Sequence, residues 1–347
     1  MKKFFFGLKN YGTQAGILAK ALRKKSVMAT AITEPDSYQR QTDFALFTGH
    51  SYIGKIFVYG VVNPLIKAYC AFRYDTFVFF FGQSFLSNNF DLPVLKFIGK
   101  KIYFVYLGWD VQQAVYSIKR YQFTNASEYK NVSLDELACQ DKKKKRQLEY
   151  HRKYANKLFV CAPYLCEFVP DGELLPLAID VQGIKAHVRA FGADGSLRIA
   201  HAPTHTGNKG TKFIERAIAT LQDEGYDFEY ERLQGLSHAR LLEKYGEIDI
   251  FIDQVLTGWY GTASIEAMAH GCSTVCYLRD EYREYCPYFD EIPIINANPE
   301  TITNILRSVL DGGIDLQSVS CKSVEFVKAV HSSDRIATKL IDSFKRS

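Results

Sequence analysis

Apolar residues along the chain fall into short uninterrupted runs. Most runs are followed by a stretch in which apolar positions recur at helical spacing. Lys3–Leu8 reads as a buried first strand. The turn Asn10-Tyr-Gly-Thr-Gln-Ala-Gly follows, and Ile17, Leu18, Ala21 and Leu22 then predict a helix over Ile17–Lys25. Further strands are predicted at Ser26–Thr30, Thr76–Phe80, Lys101–Tyr106 and Lys157–Cys161. Helical segments lie between them, including Leu92–Ile98 and the polar stretch Leu134–Tyr154. Around Leu174-Leu-Pro-Leu-Ala-Ile-Asp180 the pattern loosens into a segment that carries Gly183, Gly192 and Gly195. It restarts with a strand at Leu197–Ala202, a helix at Lys212–Leu221 and a strand at Asp227–Arg232. A helix at His238–Tyr245, capped by Ser237, and a strand at Ile248–Asp253 come next. Strand alternating with helix means a parallel sheet covered by helices on its faces. The expected fold is α/β with two doubly wound Rossmann-like domains, 1–180 and 181–321. The amphipathic remainder, 322–347, forms one or two helices.

The stretch Gly258-Trp-Tyr-Gly-Thr-Ala-Ser-Ile-Glu-Ala-Met-Ala-His-Gly271 lies between two apolar runs, Ile248–Val255 and Ser273–Leu278. It reads as strand, glycine loop, helix, strand, with Gly258 and Gly261 permitting a tight turn, Thr262–Ala269 helical and Gly271 a helix stop. A helix that opens directly after such a loop aims unpaired N–H groups and its positive dipole end at the loop, which suits phosphate. Glu266, one turn in, is a poor phosphate ligand but a good acceptor for a vicinal diol. A second glycine turn, Pro203-Thr-His-Thr-Gly-Asn-Lys-Gly-Thr211, carries Lys209. Either turn alone fits an ordinary β-loop-α corner. Both would lie along the carboxyl edge of one doubly wound sheet, where ligands bind. Together they suit a diphosphate on Lys209 with its ribose on Glu266.

Composition narrows the class without deciding it. The 347 residues fit two domains, and a formal charge of +5 permits an anionic ligand without demanding nucleic acid. The eight cysteines show no zinc-like spacing and are expected as reduced core thiols of a cytoplasmic protein. Asn125-Ala-Ser and Asn131-Val-Ser match the glycosylation pattern, which matters only in a secreted chain. The start, Met1-Lys-Lys-Phe-Phe-Phe-Gly-Leu, is too brief for a signal peptide, and no run of 18 apolar residues occurs. Lys142-Lys-Lys-Lys-Arg146 reads as a solvated helix face or as a contact for anionic lipid at the inner face of a membrane.

In combination, several motifs resemble the donor-binding half of GT-B glycosyltransferases. They are His201-Ala-Pro-Thr-His-Thr-Gly-Asn-Lys-Gly-Thr, Gly235-Leu-Ser-His, Asp249-Ile-Phe-Ile-Asp-Gln and the Gly258–Gly271 stretch. More narrowly they look like the retaining family four (GT4-type) group, which uses nucleotide-activated sugars. Phe80-Phe-Gly-Gln-Ser-Phe-Leu, Asp91-Leu-Pro and Gly99-Lys-Lys-Ile-Tyr-Phe-Val-Tyr-Leu-Gly-Trp-Asp110 resemble the acceptor half. The resemblance implies two domains facing a central cleft, with the last helix crossing back to the first domain. It puts Lys209 on the donor diphosphate and Glu266, the second acid of a Glu-x7-Glu motif, on the ribose. The backbone of Tyr260, Gly261 and Thr262 falls at the distal phosphate and sugar, Gly235 and Leu236 at the base, and Gly12 and Thr13 at the donor phosphates. Thr206 falls in the donor loop and Asp110 near the acceptor. Three positions depart from the family: its first glutamate falls at Gly258, an arginine is missing near Thr204 or His205, and a histidine is replaced by Leu107.

The expected activity is transfer of a sugar from its nucleoside diphosphate to an acceptor hydroxyl with retained configuration. Lys209, Glu266 and Asp110 are the catalytic candidates. No cofactor is expected, and with no Asp-x-Asp pair a bridging metal is not required. The expected partners are the donor and a glycan or lipid-linked acceptor. The alternatives are a catalytically silent nucleotide-sugar-binding subunit and a nucleotide-sugar epimerase on the same scaffold.

Overall fold

The computed structural model describes residues 2–35, 41–129, 132–186 and 196–346. Asn131, Gly192 and Gly195 lie outside the described residues. The chain forms two compact units. The first comprises Met1–Gln112, Gln140–Asp180 and Ser332–Ser347, and the second Gln113–Cys139 and Val181–His331. Gln113–Cys139 thus lies with the second unit although it falls inside the span 1–180. The C-terminal region divides: the helix Leu316–Phe326 belongs to the second unit and the helix Ser333–Lys345 to the first.

The strands of the first unit are β1 (Lys3–Gly7), β2 (Met28–Thr33), β3 (Phe44–Ala45), β4 (Thr76–Phe80), β5 (Lys101–Tyr106), β6 (Lys157–Val160) and β7 (Glu173–Leu174). All pair in parallel, in the order β3-β2-β1-β4-β5-β6-β7. Every residue of β4 is buried, as a parallel strand covered on both faces requires. Alternate side chains explain how. Phe6, Val78, Phe80, Tyr103 and Phe159 pack under Leu18 and Leu22 of the Gln14–Lys24 helix and Ile336 and Leu340 of the C-terminal helix. Phe5, Phe77, Phe79 and Phe104 form an aromatic layer, where Phe85 meets Phe5, Phe77 and Phe79. The C-terminal helix is fixed on this unit by Phe344 stacked on Phe4 at 5.1 Å and by Ser343 Oγ donating to Glu173 at 3.0 Å.

The second unit holds β8 (Leu197–His201), β9 (Phe228–Arg232), β10 (Ile250–Ile252), β11 (Ser273–Cys276) and β12 (Ile295–Asn296), all parallel, in the order β12-β11-β10-β8-β9. Ile199, Ile252 and Val275 bury one face against Ile214, Ile218 and Leu221 of the Thr211–Asp223 helix and Leu306 of the Ile302–Leu310 helix. Ala200 and Phe251 bury the other against Tyr245, Ala267 and Cys272. The chain leaves β8 toward β9 on one side and β10 toward β11 on the other. That reversal opens a crevice at the carboxyl ends of β8 and β10. The corresponding reversal in the first unit lies between β1 and β4. No helix among the described residues is long and apolar enough to cross a membrane.

Candidate functional site

His201 ends β8 fully buried. Its Nδ1 contacts Ile252 O at 2.8 Å and its Nε2 contacts Thr211 Oγ1 at 2.9 Å, so one ring ties β8, β10 and the following helix together. Burial lowers its pKa to about 4, which keeps the ring neutral. The loop beyond it rises through the short helix Thr206–Lys209 and turns at Gly210, where φ is +75°. A Cβ at Gly210 would lie 2.6 Å from Val255 Cγ2, so the turn closes on this strand end only with glycine.

Lys209 Nζ pairs there with Asp253 Oδ1. Asp253 follows β10 and is buried. Its Oδ2 accepts from Ser264 Oγ at 2.5 Å and from the Gly261 N–H at 3.2 Å. Burial alone would raise the carboxyl pKa. The Lys209 ammonium, the Ser264 hydroxyl and the Gly261 amide outweigh it and hold the group below its usual value. Asp253 therefore joins the two glycine turns singled out in the sequence. The pairing spans 44 residues, and the sequence shows only an acid at a strand end.

Two expectations about this loop need correction. Gly261 has φ −110° and ψ −172°, extended backbone that needs no glycine, and its N–H is taken by Asp253. The turn is made at Gly258, with φ +79°. Beside Gly258 the space is filled: a Cβ there would lie 2.9 Å from Arg279 Cζ. Arg279 is buried, donates from Nη2 to Phe123 O at 2.5 Å and lies 3.7 Å over the Tyr121 ring. An arginine thus occupies the surroundings of the position where the resembling family carries its first glutamate. Nothing in the spacing of the sequence signals it.

Glu266 is 7 % exposed on the Thr262–Ala269 helix, with Oε1 2.7 Å from His238 Nε2. His238 opens the His238–Tyr245 helix, whose cap Ser237 accepts from Arg240 N–H at 3.3 Å. His238 thus ties the Gly235–Leu236 turn to the acid. Gly235 is exposed in the left-handed region at φ +75°, and Leu236 packs against the Tyr245–Phe251 cluster. Thr206 is exposed. The Tyr260 side chain faces inward, with its hydroxyl 2.9 Å from His331 Nε2, so only its backbone faces the loop. Lys209, Gly258, Gly261, Thr262 and Glu266 are brought together around the carboxyl ends of β8 and β10.

The remaining candidates belong to the first unit. Gly12 (φ 56°) and Thr13 (φ 61°) are both left-handed after β1. The Thr13 hydroxyl is buried with no hydrogen-bond partner among the described residues. Gln14 locks the turn, donating to Gly12 O at 2.8 Å and to Ala178 O at 2.9 Å. Asp110, half-buried after β5, accepts from the Gly108 N–H at 2.8 Å and from the Leu107 N–H at 3.2 Å. Lost hydration raises its carboxyl to about 6, against the pull of those amides and of Lys144. Lys144 is the inward member of the basic run. It donates to Gln112 O at 2.7 Å and lies 3.8 Å over the Trp109 ring, leaving Lys142, Lys143, Lys145 and Arg146 exposed.

No family model matches this chain, and no curated protein matches it. Solved structures do. Sucrose-phosphate synthase from Thermosynechococcus elongatus aligns over 100 % of this chain and 99 % of its own at 13 % identity, with a TM-score of 0.63. Anabaena HepE in complex with UDP-glucose aligns over 100 % of both chains at 10 % identity and a TM-score of 0.65. The lipopolysaccharide outer core galactosyltransferase WaaB, in its apo form, aligns over 100 % of both at 10 % identity and 0.58. The fold is GT-B. In this GT-B chain the Lys209–Asp253 and Glu266–His238 pairs stand at the carboxyl edge of the second sheet.

Proposed function

We propose that the chain is a glycosyltransferase of the retaining, GT4-like kind, moving a sugar from a nucleoside diphosphate to an acceptor hydroxyl in surface-glycan or glycoconjugate synthesis. The observation that carries the reading is the coupled pair of sites on the second unit. Lys209 is poised by buried Asp253 at the switch point, and Glu266 is held by His238 on the adjoining helix. A neighbour in fold, HepE, solved in complex with UDP-glucose, supports a nucleotide-sugar donor.

The chemical difficulty is expulsion of the diphosphate. In this reading Lys209 Nζ and the start of the Thr262–Ala269 helix meet the charge that grows on the leaving oxygen, and Glu266 accepts from the ribose hydroxyls. Gly12 and Thr13 are the first unit's candidates for the donor phosphates. Asp110 serves the acceptor. A carboxyl lifted to about 6 exchanges a proton near neutral pH more readily than an ordinary carboxylate. The mechanism needs no cofactor and no bridging metal, because Lys209 and the helix end supply the positive charge. The acceptor is a glycan or a lipid-linked glycan, and the protein works in the cytoplasm or at the inner face of a membrane.

One observation favours a second reading, a silent nucleotide-sugar-binding subunit: Arg279 fills the space beside Gly258, where the family's sugar-contacting acid would stand. Incubation with a panel of nucleotide sugars and glycan acceptors separates the readings. Release of nucleoside diphosphate with a glycosylated product supports transfer. Binding without turnover supports the silent subunit, and an isomeric nucleotide sugar points to epimerisation.

A further inference from the structure

The first unit carries an apolar surface that none of its described residues covers. Tyr52–Phe57, Val58–Val62 and Asn63–Arg73 follow one another without a break, the middle stretch wound as a π-helix. An ordinary surface helix turns its apolar stripe inward. Here Tyr52, Ile53, Phe57, Leu65, Tyr69 and Phe72 are exposed, Tyr52 at 80 % and Ile53 and Phe72 at 78 %. Across from this run the Leu92–Phe97 helix exposes Val94 at 60 % and Phe97 at 91 %. The two stretches are neighbours. Lys67 Nζ reaches Phe85 O at 2.6 Å, and Lys100 Nζ reaches Tyr74 O at 2.7 Å. Between them lies a mostly apolar cavity of about 640 Å³, whose rim includes the exposed Phe47, Tyr59, Phe90 and Val94 and whose lining also carries Glu34, Lys67 and Asp91.

Contiguous apolar surface of this kind marks a contact site, and its charge says with what. From residue 44 to 73 the chain has Lys55, Lys67 and Arg73 and no Asp or Glu; from 90 to 98 it has Lys96 and one acid, Asp91, whose carboxylate accepts from the Ser84 hydroxyl and the Phe85 and Leu86 amides. Lys55 and Lys96 are exposed among the aromatics. A second copy of the same face would set lysine against lysine around a two-fold contact. Anionic headgroups would satisfy the lysines while tyrosines and phenylalanines enter the boundary between headgroup and acyl chain.

We infer that the surface formed by 44–73 and 90–98 docks the protein on an anionic lipid bilayer, with the cavity open to a hydrocarbon chain from it. This surface is distinct from the Lys142–Arg146 run, and the inference does not depend on the donor reading.

Sedimentation with vesicles tests it. The full chain co-sediments with vesicles of equal parts phosphatidylglycerol and phosphatidylcholine and far less with phosphatidylcholine alone. The combined variant Ile53→Ser, Phe72→Ser, Phe97→Ser loses binding by about tenfold or more while keeping the thermal unfolding of the wild type. Lys55→Glu with Lys96→Glu removes the preference for the anionic vesicles. Absence of wild-type binding to either vesicle overturns the inference, as does unchanged binding by the triple serine variant. A wild-type dimer that the triple variant converts to monomer, with no vesicle binding by either, also overturns it and makes the face a self-contact. The vesicles contain no nucleotide, so failure here leaves the donor reading standing.

Discussion

The two units treat their large apolar side chains differently. From residue 196 to 331 of the second unit, every Leu, Ile, Val, Met, Phe, Tyr and Trp is buried or half-buried, and in its 113–139 segment Tyr116 and Leu134 are exposed. In the first unit an equally well-packed sheet carries a row of exposed aromatic and aliphatic side chains on the outer helical run 52–73 and the helix Leu92–Phe97. Both sheets have the same parallel doubly wound build, so the difference is not a demand of the fold. The contrast teaches that apolarity in the second unit serves packing, whereas on the outer helices of the first it is free for a partner.

The contrast can be broken at its strongest point first. Ile214→Ala, in the fully buried core of the second unit, should lower the unfolding free energy by about 2–5 kcal/mol in urea titrations. A loss under 1 kcal/mol would mean that this core is not close-packed.

Acid should act on buried histidines in both units. The folded pKa of His201 is about 4 and that of His151 about 3, both lowered by burial, against about 6.5 when unfolded. Below pH 6.5 the unfolded chain binds protons that the folded chain refuses. Stability is therefore present above that value and drains as pH falls toward 4, by roughly 3 kcal/mol for His201 alone. Melting temperatures from pH 7.5 to 4.5 read the slope, and His201→Gln should flatten part of it.

Gly210→Ala should cost about 1–3 kcal/mol, since its φ of +75° is joined by a Cβ contact at 2.6 Å with Val255. The smallest effect sharpens the comparison most. Phe97→Ser should change stability by no more than about 0.5 kcal/mol, because 91 % of the side chain is already in water. A loss of several kcal/mol would show that Phe97 belongs to the core.

Periodicity revealed the buried strands because a parallel strand is apolar on both faces. β4 and β5 fall where the sequence put them, whereas β2 begins two residues later, at Met28. The two-residue edge strands β3, β7 and β12 are too short to leave a pattern. The outer helices at 52–73 fall in an interval where helices are expected, but apolar residues on all sides leave no inward stripe from which to read their bounds. At the candidate site, Lys209 and Glu266 were legible from their glycine turns. Their partners were not. Asp253 and His238 reach them only because strand order brings distant loops to one edge, and strand order is not written in local spacing. Arg279 was hidden for the same reason, lying 21 positions beyond the glycine it adjoins.

The central claim is that the carboxyl edge of the second sheet grips a nucleoside diphosphate. Titration calorimetry with a uridine or guanosine diphosphate series measures it directly, on the wild type, Lys209→Ala and Glu266→Ala. One nucleotide should bind, and each substitution should weaken it, with Lys209→Ala also slowing sugar transfer by about 10²–10³. Affinity unchanged by both substitutions, in variants that still melt like the wild type, would contradict the account.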